Sequence, residues 1–315
     1  MNQTLQIFLG LPGLVLLCYG AEFLGRGGVR LAEALHIPKV VVGLTLVAFA
    51  TSAPELVVSI DSAIRGVGDI SVGNVVGSNI CNIGLILGVA SLITPMNVSQ
   101  TLLRFDMPLL TVATVLLAVC GILLHGVNRV MALVFLGGFF LYSWKNVREG
   151  MRGETYAQDG TAKSSLSVPM ALLLAGGGVA ALLVGAKLFV NGAIELARLF
   201  HVSDAVIGLT LVAIGTSLPE LATSVVAAFK GEKEIAVGNV VGSNIFNILA
   251  ILGIAPLISP IQAAGIQIVD MSVMLGITLL MFVMMFTGKV VRRGEGALLL
   301  CVYLGYSVWL FVQGG

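Results

Sequence analysis

Apolar residues run through this chain in long blocks broken by short polar stretches. In the first half the blocks fall near 5–30, 40–64, 71–93, 107–124 and 129–146, and in the second near 169–198, 205–229, 236–258, 268–287 and 295–312. A helix needs about 20 residues to cross a bilayer, which most of these blocks reach. The pattern predicts an all-α membrane protein with ten transmembrane helices. A polar stretch with Arg152, Glu154, Asp159 and Lys163 separates the two groups. The expected division is 1–148, a loop at 149–167, and 168–315.

The two halves repeat each other. Residues 41–95 align without gaps to 206–260 at an offset of 165, with 34 identities in 55 positions. GLTLVAFATSAPEL (Gly43 to Leu56) faces GLTLVAIGTSLPEL (Gly208 to Leu221), and VGNVVGSNICNI (Val72 to Ile83) faces VGNVVGSNIFNI (Val237 to Ile248). Outside this stretch His36 pairs with His201, and Asp106-Met107 lies one residue off register from Asp270-Met271. Five spans per half is an odd number, so the second half enters the membrane upside down. The expected architecture is two inverted five-helix repeats, as in many secondary transporters.

Composition supports a membrane chain: 57% of residues are hydrophobic and 10% charged, with a mean hydropathy of +1.04. A soluble domain carries about 25% charged residues. The 39 glycines suit close helix approach in lipid. A net charge of +1 offers no basic face for nucleic acid. Cys18, Cys81, Cys120 and Cys301 lie in apolar blocks without metal-like spacing and read as reduced packing residues. The first apolar block has no basic residues before it and reads as a retained helix, not a cleaved leader. Nothing in the sequence suggests an enzyme, a cofactor or an obligatory protein partner. With the N-terminus outside, 13 of the 17 Lys and Arg residues fall on the inner loops and flanks, leaving Arg65, Arg129, Lys187 and Arg198 outside. Both termini are therefore expected outside and the central loop in the cytoplasm.

The chemistry concentrates in the repeats. Acidic residues at membrane depth cost roughly 2.5–3.5 kcal/mol each on insertion scales. Glu55 and Glu220 lie near the middle of their spans at the 165-residue offset. Crossing of the inverted spans near the midplane would bring the two carboxylates together. Pairing with a basic residue is the ordinary alternative, but no Lys or Arg lies deep in any span. Pro54 and Pro219 precede the glutamates. Each removes a backbone donor and clashes with the carbonyl one turn earlier, freeing carbonyls near Ala50–Thr51 and Gly215–Thr216. In a regular helix Thr51, Ser52 and Glu55 would share a face, as would Thr216, Ser217 and Glu220. Ser78 and Asn82 lie four apart, as do Ser243 and Asn247, whereas Asn79 and Asn244 are offset from that face. These polar residues either bond between helices or line a site. Gly73, Gly77, Gly238 and Gly242 read as close-packing positions. A donor set of carboxylate, hydroxyl, amide and carbonyl oxygens points to a hard cation, and calcium takes six to eight oxygens in flexible geometry. Sodium uses the same ligands.

The paired segments FATSAPE/IGTSLPE and GNVVGSNICN/GNVVGSNIFN resemble the alpha repeats of the calcium/cation antiporter superfamily, and the short chain and central loop resemble its prokaryotic sodium/calcium exchangers. The resemblance implies alternating access around four binding positions flanked by Glu55 and Glu220. It implies that both glutamates ligate calcium and sodium, with the main-chain carbonyls of Thr51 and Thr216 completing the calcium site. Ser52, Ser217, Ser78, Ser243 and the carbonyls of Ala48 and Ala213 would bind sodium, and Asn82 and Asn247 would complete the centre. Ala50 departs from the glycine usual in the first motif, which Gly215 keeps in the second. Potassium-dependent members resemble a variant with aspartate at the position of Asn247, so the asparagine argues against potassium transport.

The expected function is antiport of Ca2+ against Na+ across the cell membrane, and the resemblance implies electrogenic exchange. An empty site would hold two unpaired buried carboxylates, which is prohibitive when both are charged. The bare site should therefore change sides slowly and the ion-filled one readily. A calcium/proton antiporter using the same glutamates ranks second, since protons need no hydroxyl-rich cage. A channel would need a continuous polar path, and the spans near 107–124 and 295–312 are almost wholly apolar.

Overall fold

The structure is a computed structural model that describes residues 3–35, 39–151, 167–199, 213–262 and 267–314. The helices are α1 (Gln3–Leu35), α2 (Gly43–Thr51), α3 (Ala53–Ile64), α4 (Gly68–Ile93), α5 (Leu102–Leu124), α6 (Arg129–Met151), α7 (Val168–Leu199), α8 (Ala213–Thr216), α9 (Leu218–Phe229), α10 (Lys233–Ile258), α11 (Ile268–Gly288) and α12 (Arg293–Gly314). A short turn, Lys39–Val42, leads into α2.

Among the described residues seven helices are long and apolar enough to cross a membrane, and the bent pair α2–α3 makes an eighth. The block expected near 129–146 is α6, whose polar last third (Tyr142, Ser143, Trp144, Lys145 and Asn146) lowers its apolar character. The block expected near 205–229 begins in residues outside the described set, and so does most of the central loop.

The most buried spans are α4 and α10, which carry the GNVVGSN segments, while α12 is the least buried. This places the polar repeats in the middle of the bundle, with Val75, Ile80, Val241 and Ile245 packed around them. Outside this centre α1 and α7 pack along each other. Glycines set their separation: a Cβ on Gly13 would come within 2.6 Å of the Phe189 nitrogen, and one on Gly178 within 2.6 Å of the Leu24 nitrogen. Small residues at such positions let backbones approach in lipid, where no hydrophobic force drives helices together.

The repeat governs local structure as well as sequence. Gly66 (φ 74°) ends α3 and Gly231 (φ 76°) ends α9. Gly66 N–H donates to Ala63 at 3.1 Å and Val67 N–H to Ser62 at 2.9 Å; Gly231 and Glu232 repeat this with Ala228 and Ala227. Both ends are Schellman caps, whose left-handed residue is usually glycine. Four two-residue strands then tie the halves together. β1 (Met96–Asn97) pairs antiparallel with β4 (Val290–Val291), and β2 (Gly126–Val127) with β3 (Ile261–Gln262). Each pair takes one strand from each half.

Candidate cation site

Both motif helices break two residues before a proline. At Ser52 (φ −84°, ψ 9°) the chain leaves the helical region, and α2 and α3 meet at 52°. Ser217 (φ −88°, ψ 6°) makes the same break between α8 and α9. Pro54 and Pro219 fall in the first turn after the break, where a missing N–H is tolerated. Glu55 and Glu220 therefore start new helices, where unpaired N–H groups favour negative charge. This corrects the expectation of one continuous face for Thr51, Ser52 and Glu55. Ser52 sits at the break, and its side chain reaches the other repeat.

The side chains cross between the halves in matched pairs. Ser52 Oγ donates to Glu220 Oε1 at 2.8 Å, and Ser217 Oγ donates to Glu55 Oε1 at 3.3 Å. Asn82 Nδ2 donates to Asn244 Oδ1 at 3.1 Å, and Asn247 Nδ2 donates to Asn79 Oδ1 at 3.2 Å. Ser217 Oγ also lies 3.3 Å from Ser78 Oγ. Thr51 Oγ1 back-bonds to the Val47 carbonyl at 3.0 Å and lies 3.2 Å from Asn239 Oδ1. Glu55, Glu220, Ser52, Ser217, Ser78, Ser243, Asn82 and Asn247 are all buried, and so is Thr51; Thr216 is partly buried. The Ala48 carbonyl accepts from Ser52 N–H at 3.0 Å and from Thr51 Oγ1 at 3.3 Å. Ala213 is the first residue of α8.

Sequence reasoning undervalued four asparagines. Asn79 and Asn244, read as offset, are buried at the centre as partners of Asn247 and Asn82. Their i, i+3 spacing to Asn82 and Asn247 was the signal available; π-helical stretches follow at Asn82–Leu87 and Asn247–Ile251. Such wider turns are frequent at functional sites. Asn74 and Asn239 were present in the quoted motif but not singled out. Asn74 Nδ2 donates to the Glu55 carbonyl at 3.1 Å and to Ser59 Oγ at 3.0 Å; Asn239 makes the same bonds to Glu220 and Ser224 at 3.3 and 3.0 Å. They brace the backbone carrying each glutamate. Their repetition at one offset was the signal available.

The arrangement leaves acceptors unused. Glu55 Oε2, Glu220 Oε2, Asn82 Oδ1, Asn247 Oδ1 and Ser243 Oγ are buried without a hydrogen-bond partner among the described residues. Buried polar atoms are normally satisfied. Asn79 Nδ2 and Asn244 Nδ2 are also unpaired, and as donors they cannot serve a cation. The orphaned oxygens can, and two carboxylates with neutral oxygens suit a hard ion. Among the described residues no cluster of three or more His, Cys, Asp or Glu side chains could hold a metal.

The profile of the family described as "Sodium/calcium exchanger protein" matches twice, over residues 5–147 and 170–312. The chain is 40% identical to the putative antiporter CaxA of Alkalimonas amylolytica, over 96% of this chain and 97% of the relative. It is 35% identical to the sodium/calcium exchanger MaX1 of Methanosarcina acetivorans, over 98% and 99%. A solved structure of the sodium-calcium exchanger NCX_Mj, soaked with 2.5 mM Na+ and 0.1 mM Ca2+, superposes with a TM-score of 0.84 at 35% identity, covering 96% of this chain and 98% of that one.

Proposed function

The chain belongs to the sodium/calcium exchanger protein family, and from that premise we propose that it exchanges Ca2+ for Na+ by alternating access between two inverted five-helix repeats. The observation that carries the proposal is the reciprocal pairing of Ser52 with Glu220 and Ser217 with Glu55, beside carboxylate oxygens left without partners. Each glutamate is held by the opposite repeat, so one ion between them reads both halves at once.

In this reading Glu55 and Glu220 bind Ca2+ with the carbonyls of Thr51 and Thr216. Ser52, Ser217, Ser78, Ser243 and the carbonyls of Ala48 and Ala213 serve Na+, and Asn82 and Asn247 complete the centre. Without ions the site holds two carboxylates against few donors, and carrying them charged through a closed state costs several kcal/mol per group. Ions remove that cost. Occupied forms therefore cross and the empty form does not, which couples the two fluxes. Exchange is electrogenic and independent of K+, the latter because Asn247 supplies no third carboxylate. The protein sits in the cell membrane with both termini outside and the loop at 149–167 in the cytoplasm, as its Lys and Arg bias requires.

The test is calcium-45 uptake into proteoliposomes loaded with Na+, K+ or choline, with and without a pH gradient. Uptake that requires internal Na+ and ignores the pH gradient supports the proposal. Uptake driven by the pH gradient in choline would make the protein a calcium/proton antiporter.

A further inference from the structure

The register that relates the motifs extends back through α1 and α7, pairing Gly13 with Gly178, Gly20 with Gly185 and Gly27 with Gly192. In that register Glu22 corresponds to Lys187, and Lys230 to Arg65. The two repeat-related positions therefore carry different charges.

At the first place the charges attract. Lys230 Nζ lies 2.8 Å from Glu22 Oε1, joining the end of α9 to α1, and Arg26 holds the same carboxylate from one turn away. The pair lines a cleft of about 420 Å³ between α1, α9 and the start of α10, along with Arg30, Glu232 and Thr223. Arg30 and Glu232 each have interactions of their own. Thr223 lies one turn beyond Glu220, is buried, and its hydroxyl has no partner among the described residues. Thr223 closes the inner end of the cleft, and the proposed ligand lies one turn deeper.

At the second place the related residues are both cations. Lys187 is exposed, and Arg65 is taken by Asp61 of its own helix at 2.7 Å. The packing differs at the same two places. α1 lies along α9, whereas α7 has no comparable packing along α3 among the described residues.

We propose that Glu22 and Lys230 form a latch that holds α1 against α9, so that the ion-free protein favours the state closed on the Arg26–Lys230 side. The inference rests on the antiporter reading, in which two access states exchange. Repeats with identical contacts would balance those states, and a pair joining α1 to α9 with no counterpart between α7 and α3 among the described residues tilts them. Glu22 and Lys230 are partly solvated, with side chains 24% and 39% exposed. A pair of that kind shifts an equilibrium by roughly fivefold at most, and charge reversal adds to this.

The experiment introduces Thr223→Cys and follows its reaction with a membrane-impermeant maleimide in ion-free proteoliposomes, subtracting the parent chain to remove Cys18 and Cys301. Lys230→Glu should speed the reaction about fivefold, Lys230→Gln less, and the double swap Glu22→Lys with Lys230→Glu should return it to within twofold of the starting rate. An unchanged rate in Lys230→Glu, or a double swap that stays fast, overturns the latch. Calcium-45 uptake by the parent is measured in parallel: its failure rejects the exchange reading, while the thiol rates report on the latch separately.

Discussion

Replacing Glu55 with glutamine isolates charge from shape. The side-chain volume is kept, and so is an oxygen able to accept from Ser217 Oγ at 3.3 Å. What is lost is one negative charge on a carboxylate whose Oε2 is otherwise unpartnered. The gross attraction of one carboxylate for a divalent ion at about 2.4 Å is roughly 14 kcal/mol at an effective dielectric of about 20. Desolvation of the ion offsets most of it. Truncating one partner of a buried charge pair costs about 2–5 kcal/mol in measured cases. Calcium affinity should therefore fall at least about 30-fold, and Na+-driven calcium-45 uptake should be abolished at micromolar calcium. The ion-free protein should be as stable as before or more so, because an unpaired buried charge has been removed. Thermal unfolding in detergent, with and without calcium, separates the two effects: the parent gains stability from calcium by mass action and Glu55→Gln does not. Uptake within threefold of the parent would refute the reasoning. So would loss of stability without ions, which would make Glu55 a structural residue.

Other substitutions probe different links. Ser52→Ala removes a 2.8 Å bond to a carboxylate and Ser217→Ala a 3.3 Å one, so the first should raise the Na+ concentration for half-maximal exchange more, by about tenfold for a charged bond worth roughly 1.5 kcal/mol. Gly13→Leu drives a side chain into the α7 backbone and should abolish folded yield on size exclusion, while Gly137→Ala, with open space around it, should be silent. Gly66→Ala places a Cβ at φ 74° and should cost about 1 kcal/mol of stability while leaving calcium affinity unchanged in a binding titration. Asn74→Ala loses its bonds to the Glu55 carbonyl and to Ser59; exchange should fall more than stability does, as uptake and unfolding measured together will show.

Much of the site was legible because the chain states it twice. Glu55 and Glu220 stand out as acids in apolar spans, and their common offset from Pro54 and Pro219 marks the breaks. The break itself was harder to place. Proline predicts lost hydrogen bonds but not that Ser52 would leave the helix and reach Glu220. Asn79 and Asn244 were set apart from Asn82 and Asn247, although each lies three residues away, a spacing that makes neighbours on a regular helix. The strand pairs Met96↔Val291 and Gly126↔Gln262 had no local signal at all. Two-residue strands carry no alternation, and their partners lie in the other half of the chain. The Glu22–Lys230 pair was missed for a related reason: the charge count placed Lys230 on an inner flank and took no account of Glu22.

The central claim is that one oxygen cluster serves both ions in turn. Equilibrium calcium-45 binding to the purified protein, titrated with Na+ at constant ionic strength, tests it most directly. The account predicts that Na+ displaces calcium completely, competitively and with a steep dependence on its concentration, and that choline does not. Calcium binding that persists at saturating Na+ would contradict it, since two ions that bind together cannot be exchanged through a shared site.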